Sequence, residues 1–292
     1  MKKHFKFFLI AVCGVVITLA SCKKGENLQA EEHKQVENFS TSFRISSCAE
    51  EPLSDEEIIE YLRPMGEAHN NGLVRFYNQL VANPNVTEND IRDFTMSFSQ
   101  NTVPLFECAD RSYTLAALDT FYNEDVTGQI VKFGEPSQSL KDAFAKIKAH
   151  FFEAESFEVH SFNEGLEAIM ARNLPLISDY YERVTLIAAV TVGKASVEYW
   201  DAHIDEWNSL YGRDYTVAKM SPRQEQVMRT AYEDLIGAGV GAWQARKWAM
   251  ALGGGGPASL AVVAVVGIYE GISASAGGYL AEKAWGWIKS WF

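Results

Sequence analysis

Basic side chains are scarce in this chain of 292 residues, where 26 lysines and arginines stand against 38 aspartates and glutamates. The formal net charge is -12. Proteins that bind nucleic acid need a basic surface against the phosphates. The charge balance therefore argues against nucleic acid as a partner.

The sequence also lacks the short motifs that carry catalysis or cofactor binding. It has no G-x-S-x-G, no Walker loop, no H-E-x-x-H, and no G-x-G-x-x-G after a strand. A zinc site needs three or four converging ligands, and no spacing of histidine, cysteine and acidic residues suggests one. We therefore expect no cofactor and no metal. The sequence favours a protein that is not an enzyme, and an enzyme with a site built from distant residues stays open.

The first 22 residues have the form of a bacterial lipoprotein signal. Lys2, Lys3 and Lys6 precede an apolar run over 7–19, which is too short for a comfortable membrane span. The run closes on Leu19-Ala20-Ser21-Cys22, a lipobox, so we expect cleavage before Cys22 and acylation of that residue. Two or more acyl chains hold a protein stably at a membrane.

The residue after the lipidated cysteine bears on which membrane holds the protein. It is Lys23 and not aspartate, so the usual signal for retention in an inner membrane is absent. We predict a lipid-anchored protein of the cell envelope, at an outer membrane or its periplasmic face. The expected divisions are a signal peptide (1–21), the lipidated cysteine with a flexible tether (22–51), a helical body (52–221) and a hairpin (222–292).

Cysteine is rare, with four residues in the chain. Cys13 leaves with the signal peptide and Cys22 carries lipid, which leaves Cys48 and Cys108. An even pair in an oxidising compartment favours a disulfide, here between the end of the tether and the body. Two independent buried thiols are the alternative.

Helical signals dominate the mature chain, and no run of alternating strands is present. Capping residues precede predicted helices at Ser54, Thr87 and Ser221. Pro64 is expected to end or kink the first helix, and 137–172 is one long periodic segment. The predicted fold class is all-α, a multi-helix bundle.

The C-terminal hairpin is predicted from two helical segments, 224–252 and 257–291, joined by the flexible glycine turn 253–256. Small residues recur at four-residue spacing on both segments, which lets two helix backbones approach closely. The glycines expected at this contact are Gly237, Gly241, Gly267 and Gly271.

The hairpin also raises the question of membrane contact, since 248–269 contains no charged residue and is about as long as a spanning helix. Its four consecutive glycines, Pro257, and the cost of Glu270 at mid-membrane argue against a span. Three interpretations remain: a buried hairpin of a soluble domain, a conditionally inserting hairpin like those of pore-forming toxins and bacteriocins, and a permanent transmembrane helix. The first is favoured.

Two similar strings carry the candidate polar residues. GEAHNNGL contains His69 and Asn70, and EVHSFNEGL contains His160. A functional interpretation places His69, Asn70 and His160 at one polar site. The alternative is that each histidine caps or hydrogen-bonds a kinked helix.

The strings HNNGL (69–73) and GKASVEYW (193–200), followed by a Gly-rich apolar C-terminus, resemble a set of uncharacterised secreted or lipid-anchored bacterial helical proteins. The resemblance implies a helical architecture and no particular activity. The leading hypothesis is a non-enzymatic, lipid-anchored protein that contacts a protein partner or a bilayer through 222–292. A toxin-like effector that inserts this hairpin is the alternative.

Overall fold

The computed structural model describes residues 48, 51–83, 85–123, 135–154, 156–211, 221–252 and 254–277. These residues form eight α-helices and two 3₁₀ turns, and no strand occurs among them, which confirms the all-α prediction. The predicted signal peptide, the Cys22 acylation site, nearly all of the tether and the end of the hairpin lie outside the described residues. The helices are α1 (Asp55–Ala82), α2 (Glu88–Thr102), α3 (Arg111–Asn123), α4 (Gln138–Phe152), α5 (Val159–Asn173), α6 (Tyr180–Tyr211), α7 (Pro222–Ala251) and α8 (Pro257–Gly277).

Three helices begin where the capping signals predict. Ser54 Oγ accepts from the backbone N–H of Glu57, and the Glu57 side chain accepts from the backbone N–H of Ser54. Thr87 and Ser221 form equivalent capping boxes ahead of α2 and α7. Each box satisfies N–H groups that a helix start leaves without partners.

The helix does not end at Pro64, because α1 runs through this residue to Ala82, and the other expectation, a kink, stays a prediction. A proline inside a helix removes one backbone hydrogen bond and crowds the preceding turn. The side chains next to it, Leu62 and Met65, are completely buried and hold both halves of α1 against the same core. Packing on either side therefore outweighs the local cost.

The segment 137–172 is not one helix but two, α4 and α5, so that expectation is wrong. The Glu158 carboxylate accepts from the backbone N–H groups of His160 and Ser161, at 3.0 and 2.8 Å. A side chain that accepts these bonds starts a new helix at this point.

The C-terminal hairpin packs into the body and does not stand apart from it. Helix α8 packs mainly against α7, and also against α1 and α2, while α7 packs against α6. Among the described residues one helix is long and apolar enough to cross a membrane, over Pro257–Ala274, with a mean hydropathy of 1.6. That segment is 94% buried within the protein.

The predicted glycine contact is present between α7 and α8. A Cβ at Gly237 would lie 2.7 Å from the carbonyl oxygen of Glu270, so the α7 backbone touches the α8 backbone there. Gly267 and Gly271 lie where α8 meets both α7 and α1. A Cβ at Gly267 would lie 2.3 Å from Met65 Cε.

The glycine turn between α7 and α8 is held by hydrogen bonds, although the sequence suggests a flexible link. The carbonyl oxygen of Gly255 accepts from the Leu53 backbone N–H at 3.3 Å and from Tyr180 Oη at 2.6 Å. Gly254 and Gly255 have φ angles of 87° and 123°, which other residues rarely adopt.

Cys48 and Cys108, the predicted pair, form a disulfide in the structure. Next to Cys108, the carbonyl oxygen of Glu107 lies 2.7 Å from Tyr61 Oη, which also lies 2.8 Å from the carbonyl oxygen of Pro257. The disulfide and the hairpin turn therefore lie at the same end of the bundle.

Candidate functional site

A fully buried polar cluster is centred on Asp234 of α7. Its Oδ2 accepts from Trp200 Nε1 at 2.7 Å and from Ser196 Oγ. Its Oδ1 lies 3.6 Å from His69 Nε2. Each of these four side chains is at most 2% exposed.

His69 and Asn70 link this cluster to the surface of α6. His69 Nδ1 lies 3.2 Å from Asn70 Oδ1, and Asn70 Nδ2 donates to the carbonyl oxygen of Ala195 at 2.8 Å. The strings HNNGL and GKASVEYW thus meet in space, since one provides His69 and Asn70 and the other provides Ala195 and Ser196.

The cluster contains serine, histidine and aspartate, but it is not arranged for nucleophilic catalysis. A catalytic serine is activated by a hydrogen bond to its base, whereas here Ser196 and His69 both approach Asp234. His69 Nε2 makes no hydrogen bond within the described part of the chain. The cluster presents no nucleophile to solvent. It instead connects α1, α6 and α7 as a polar network in the core.

His160 does not join His69, so the predicted single polar site is not formed. The His160 side chain is 82% exposed on α5 and lies 3.3 Å from Glu164. The residue of this string that reaches α6 is Asn163, whose Nδ2 donates to the carbonyl oxygen of Lys194 at 3.3 Å and to Glu198 Oε1 at 3.0 Å. Asn163 thus docks α5 onto α6 much as Asn70 docks α1.

An open groove of about 540 Å³ lies between α1, α5 and α6. This volume is within the range usual for small-molecule sites. Gly66 of α1 lies at its base, where a Cβ would be 2.8 Å from Ala195 Cβ, so close helix contact closes the bottom. Apolar walls come from Ile59, Met170 and Val190.

Charged side chains line the groove, and most of them are already engaged. Lys194 is ion-paired with Glu167. Arg63 is paired with Glu60 at 2.9 Å. Glu198, also at the groove, accepts the Asn163 amide described above.

Among the described carboxylates that line the groove, Glu67 differs in having neither an ion pair nor a hydrogen bond. It lines the groove from α1, and no hydrogen bond or ion pair of its side chain occurs among the described residues. Partial burial raises the pKa of Glu67, and the nearby positive charge of Arg63 opposes that shift without cancelling it. Glu67 is therefore a solvent-exposed carboxylate at the groove that is only partly dehydrated and feels the charge of Arg63 without forming an ion pair with it.

Sequence reasoning missed both the groove and the centre of the buried cluster. The signal for Asp234 is present in the sequence, since it is an acidic residue at a position whose helical neighbours are apolar and small. No local signal marks the groove, because its walls come from three helices that are distant along the chain.

Comparisons with protein-family models, curated proteins and solved structures gave no match. The resemblance noted from the short strings therefore stays a prediction. Within the described ranges, no group of three or more histidine, cysteine, aspartate or glutamate side chains is placed to hold a metal ion.

Proposed function

We propose that this chain is a lipid-anchored, non-enzymatic protein of the cell envelope that binds its ligand in the groove between α1, α5 and α6. The observation that carries the proposal is the groove itself, an open concavity with apolar walls and a carboxylate, Glu67, that makes no hydrogen bond or ion pair among the described residues. Such a combination is typical of binding sites. The lipobox ending at Cys22 supports the location.

The buried cluster around Asp234 supports a binding role over a catalytic one. The side chains that most resemble a catalytic set are closed to solvent and oriented towards one carboxylate. The described residues that line the open groove include no histidine, cysteine or serine, and Thr191 supplies their one hydroxyl group. We take this lining as favouring the binding of a ligand.

The hairpin is a less suitable contact surface than the sequence suggests. Pro257–Ala274 is 94% buried, so its apolar side chains are occupied by the core. Insertion into a bilayer would require α8 to leave α7, α1 and α2. The effector alternative therefore needs an opened state of the bundle, and leakage of liposomes caused by the folded protein would support it.

Lipid anchoring predicts a loss of membrane association for Cys22→Ser. Without the thiol the acyl chains cannot be attached, and nothing in the proposal replaces them as an anchor. We expect the wild-type protein to label with an alkyne fatty acid in the producing cells and to sediment with membranes. The variant should not label, and expressed without residues 1–21 it should not sediment with membranes. A Cys13→Ser variant is the matched control, and fatty-acid labelling of Cys22→Ser would contradict the anchor.

Filling the groove tests the binding proposal. Ala171 lines the groove from α5, and Ala171→Trp should block it, whereas Ala168, an exposed residue on the same helix, does not line it. We expect immobilised mature protein to retain a component of envelope extract that Ala171→Trp loses and Ala168→Trp keeps. Mass spectrometry of the retained fraction provides the measurement.

Two outcomes of that experiment would overturn the proposal. Equal retention by both tryptophan variants would show that the groove is not the site. Saturable turnover of a retained component, abolished by His69→Ala, would show that the protein is an enzyme.

A further inference from the structure

We propose that the groove binds an organic cation with an apolar portion, and that the Glu67 carboxylate is its counter-ion. This inference rests on the proposed function and adds the chemical class of the ligand. Its basis is the geometry of the groove, the pairing of its charges and the charge of the whole chain.

The ion pairs leave two groove carboxylates without a counter-ion, Glu198 and Glu67. Lys194 is neutralised by Glu167, and Arg63 by Glu60. Glu198 accepts a hydrogen bond from Asn163, while Glu67 has no partner within the described residues. An incoming cation would supply a counter-ion to this side of the groove, and Glu67 is the carboxylate that needs to break no hydrogen bond to accept it.

An anionic ligand fits the groove poorly. It would have to displace Glu167 from Lys194 or Glu60 from Arg63, and it would also face Glu67 and Glu198. The formal net charge of -12 repels anions from the protein and concentrates cations near it. The charges that line the groove and the net charge of the whole chain therefore both favour a cationic ligand.

The walls indicate that the cation is organic. Ile59, Met170 and Val190 present hydrocarbon to the groove and would bury the apolar part of a ligand. A hard metal ion takes six or more oxygen ligands, whereas the described carboxylates of the groove are not grouped to hold a metal ion together. A protonated amine needs a single counter-ion and tolerates apolar surroundings for its alkyl chain.

The test compares three six-carbon probes: n-hexylammonium, hexanoate and hexan-1-ol. The protein is the mature chain with Cys22→Ser, which prevents acylation and keeps the whole compact unit of residues 43–292. Binding is measured by calorimetry or by saturation transfer to the probe. We expect hexylammonium to bind more tightly than hexan-1-ol and hexanoate to bind least.

Glu67→Gln should weaken hexylammonium binding about tenfold and leave hexan-1-ol binding unchanged, because it removes the charge and keeps the shape. The matched control is Glu56→Gln, which removes an exposed carboxylate from the same helix outside the groove. It should bind hexylammonium like the parent protein. Circular dichroism of each variant checks that the fold is kept.

Three results would overturn the cation proposal. They are equal affinity of Glu67→Gln and the parent protein for hexylammonium, stronger binding of hexanoate than of hexylammonium, and no hexylammonium binding at millimolar concentration. If Ala171→Trp still loses the envelope component in those cases, the groove remains a binding site for another ligand class. If Ala171→Trp retains that component as Ala168→Trp does, the proposed function fails as well.

Discussion

Gly241→Ala should destabilise the protein by about 3 kcal/mol, at the upper end of the usual cost of overpacking. A Cβ at this position would lie 2.7 Å from the carbonyl oxygen of Val266 and 3.0 Å from the Cα of Gly267. Both are backbone atoms of α8, so they cannot move aside as a flexible side chain would. The helices would have to separate, and α8 would lose packing along its length. Chemical denaturation monitored by circular dichroism measures the change.

The matched control is Gly239→Ala, two residues away on the same helix. There the added Cβ would lie 3.1 Å from Phe144 Cζ and 3.2 Å from Ala189 Cβ, which are side-chain atoms. A small shift of the phenyl ring accommodates the methyl group, and alanine gains about 1 kcal/mol over glycine in helix propensity. We expect a change within about 1 kcal/mol. An increase in stability for Gly241→Ala would contradict close contact between α7 and α8.

The glycine contact between α7 and α8 shows what the spacing of small residues can and cannot predict. Four-residue repeats of small residues predict that two helices approach closely, and Gly237 and Gly241 do so against α8. The repeats do not say whether lipid or protein surrounds the pair. In the described part of the chain, protein surrounds the pair, because Gly267 and Gly271 of α8 also contact Met65 and His69 of α1.

Local signals predicted helix starts well and helix interruptions poorly. A capping box is complete within four residues, so Ser54 and Thr87 could be recognised from the sequence. Whether Pro64 breaks a helix depends on packing by partners that are distant along the chain. The groove depends on such partners entirely: Glu67 stands in the GEAHNNGL string, but the sequence alone could not place it opposite α5 and α6.

The two strings behind the sequence resemblance have a joint structural role. Asn70 of the first donates to the Ala195 carbonyl of the second, and His69 of the first approaches Asp234 beside Ser196. Both strings therefore help to form one contact between α1, α6 and α7. Residues that build such a contact can recur among proteins for reasons of packing, and their presence does not imply a shared ligand.

A pH-dependent stability is expected from Glu270, which lies almost fully buried on α8. Burial raises the pKa of Glu270 from 4.5 to about 7, and the positive charge of Arg92 on α2 opposes this only in part. Two titratable side chains lie close by on other helices: His69 of α1 touches Gly271, and Asp234 of α7 lies beside His69. The buried carboxyl is therefore more stable when it is protonated.

The sign of the effect follows from comparing the folded and unfolded chains. Between pH 4.5 and about 7 the folded protein keeps a proton on Glu270 that the unfolded chain has released. The stabilisation from this group is fully present below pH 4.5 and is lost as the pH rises through about 7. A pKa difference of this size corresponds to roughly 3 kcal/mol.

Glu270→Gln should therefore stabilise the protein by about 2 to 3 kcal/mol at pH 8 and change it little at pH 4.5, because the amide cannot ionise. Urea denaturation across this pH range measures the free energy of unfolding. In the variant this free energy should fall with rising pH much less than it does in the parent protein. Glu225→Gln, an exposed carboxylate on α7, is the control and should change stability by less than about 0.5 kcal/mol at any pH. If Glu270→Gln destabilised the protein at pH 8, the ionised carboxylate would instead be held by a favourable partner, and Arg92→Gln would then be expected to cost at least as much.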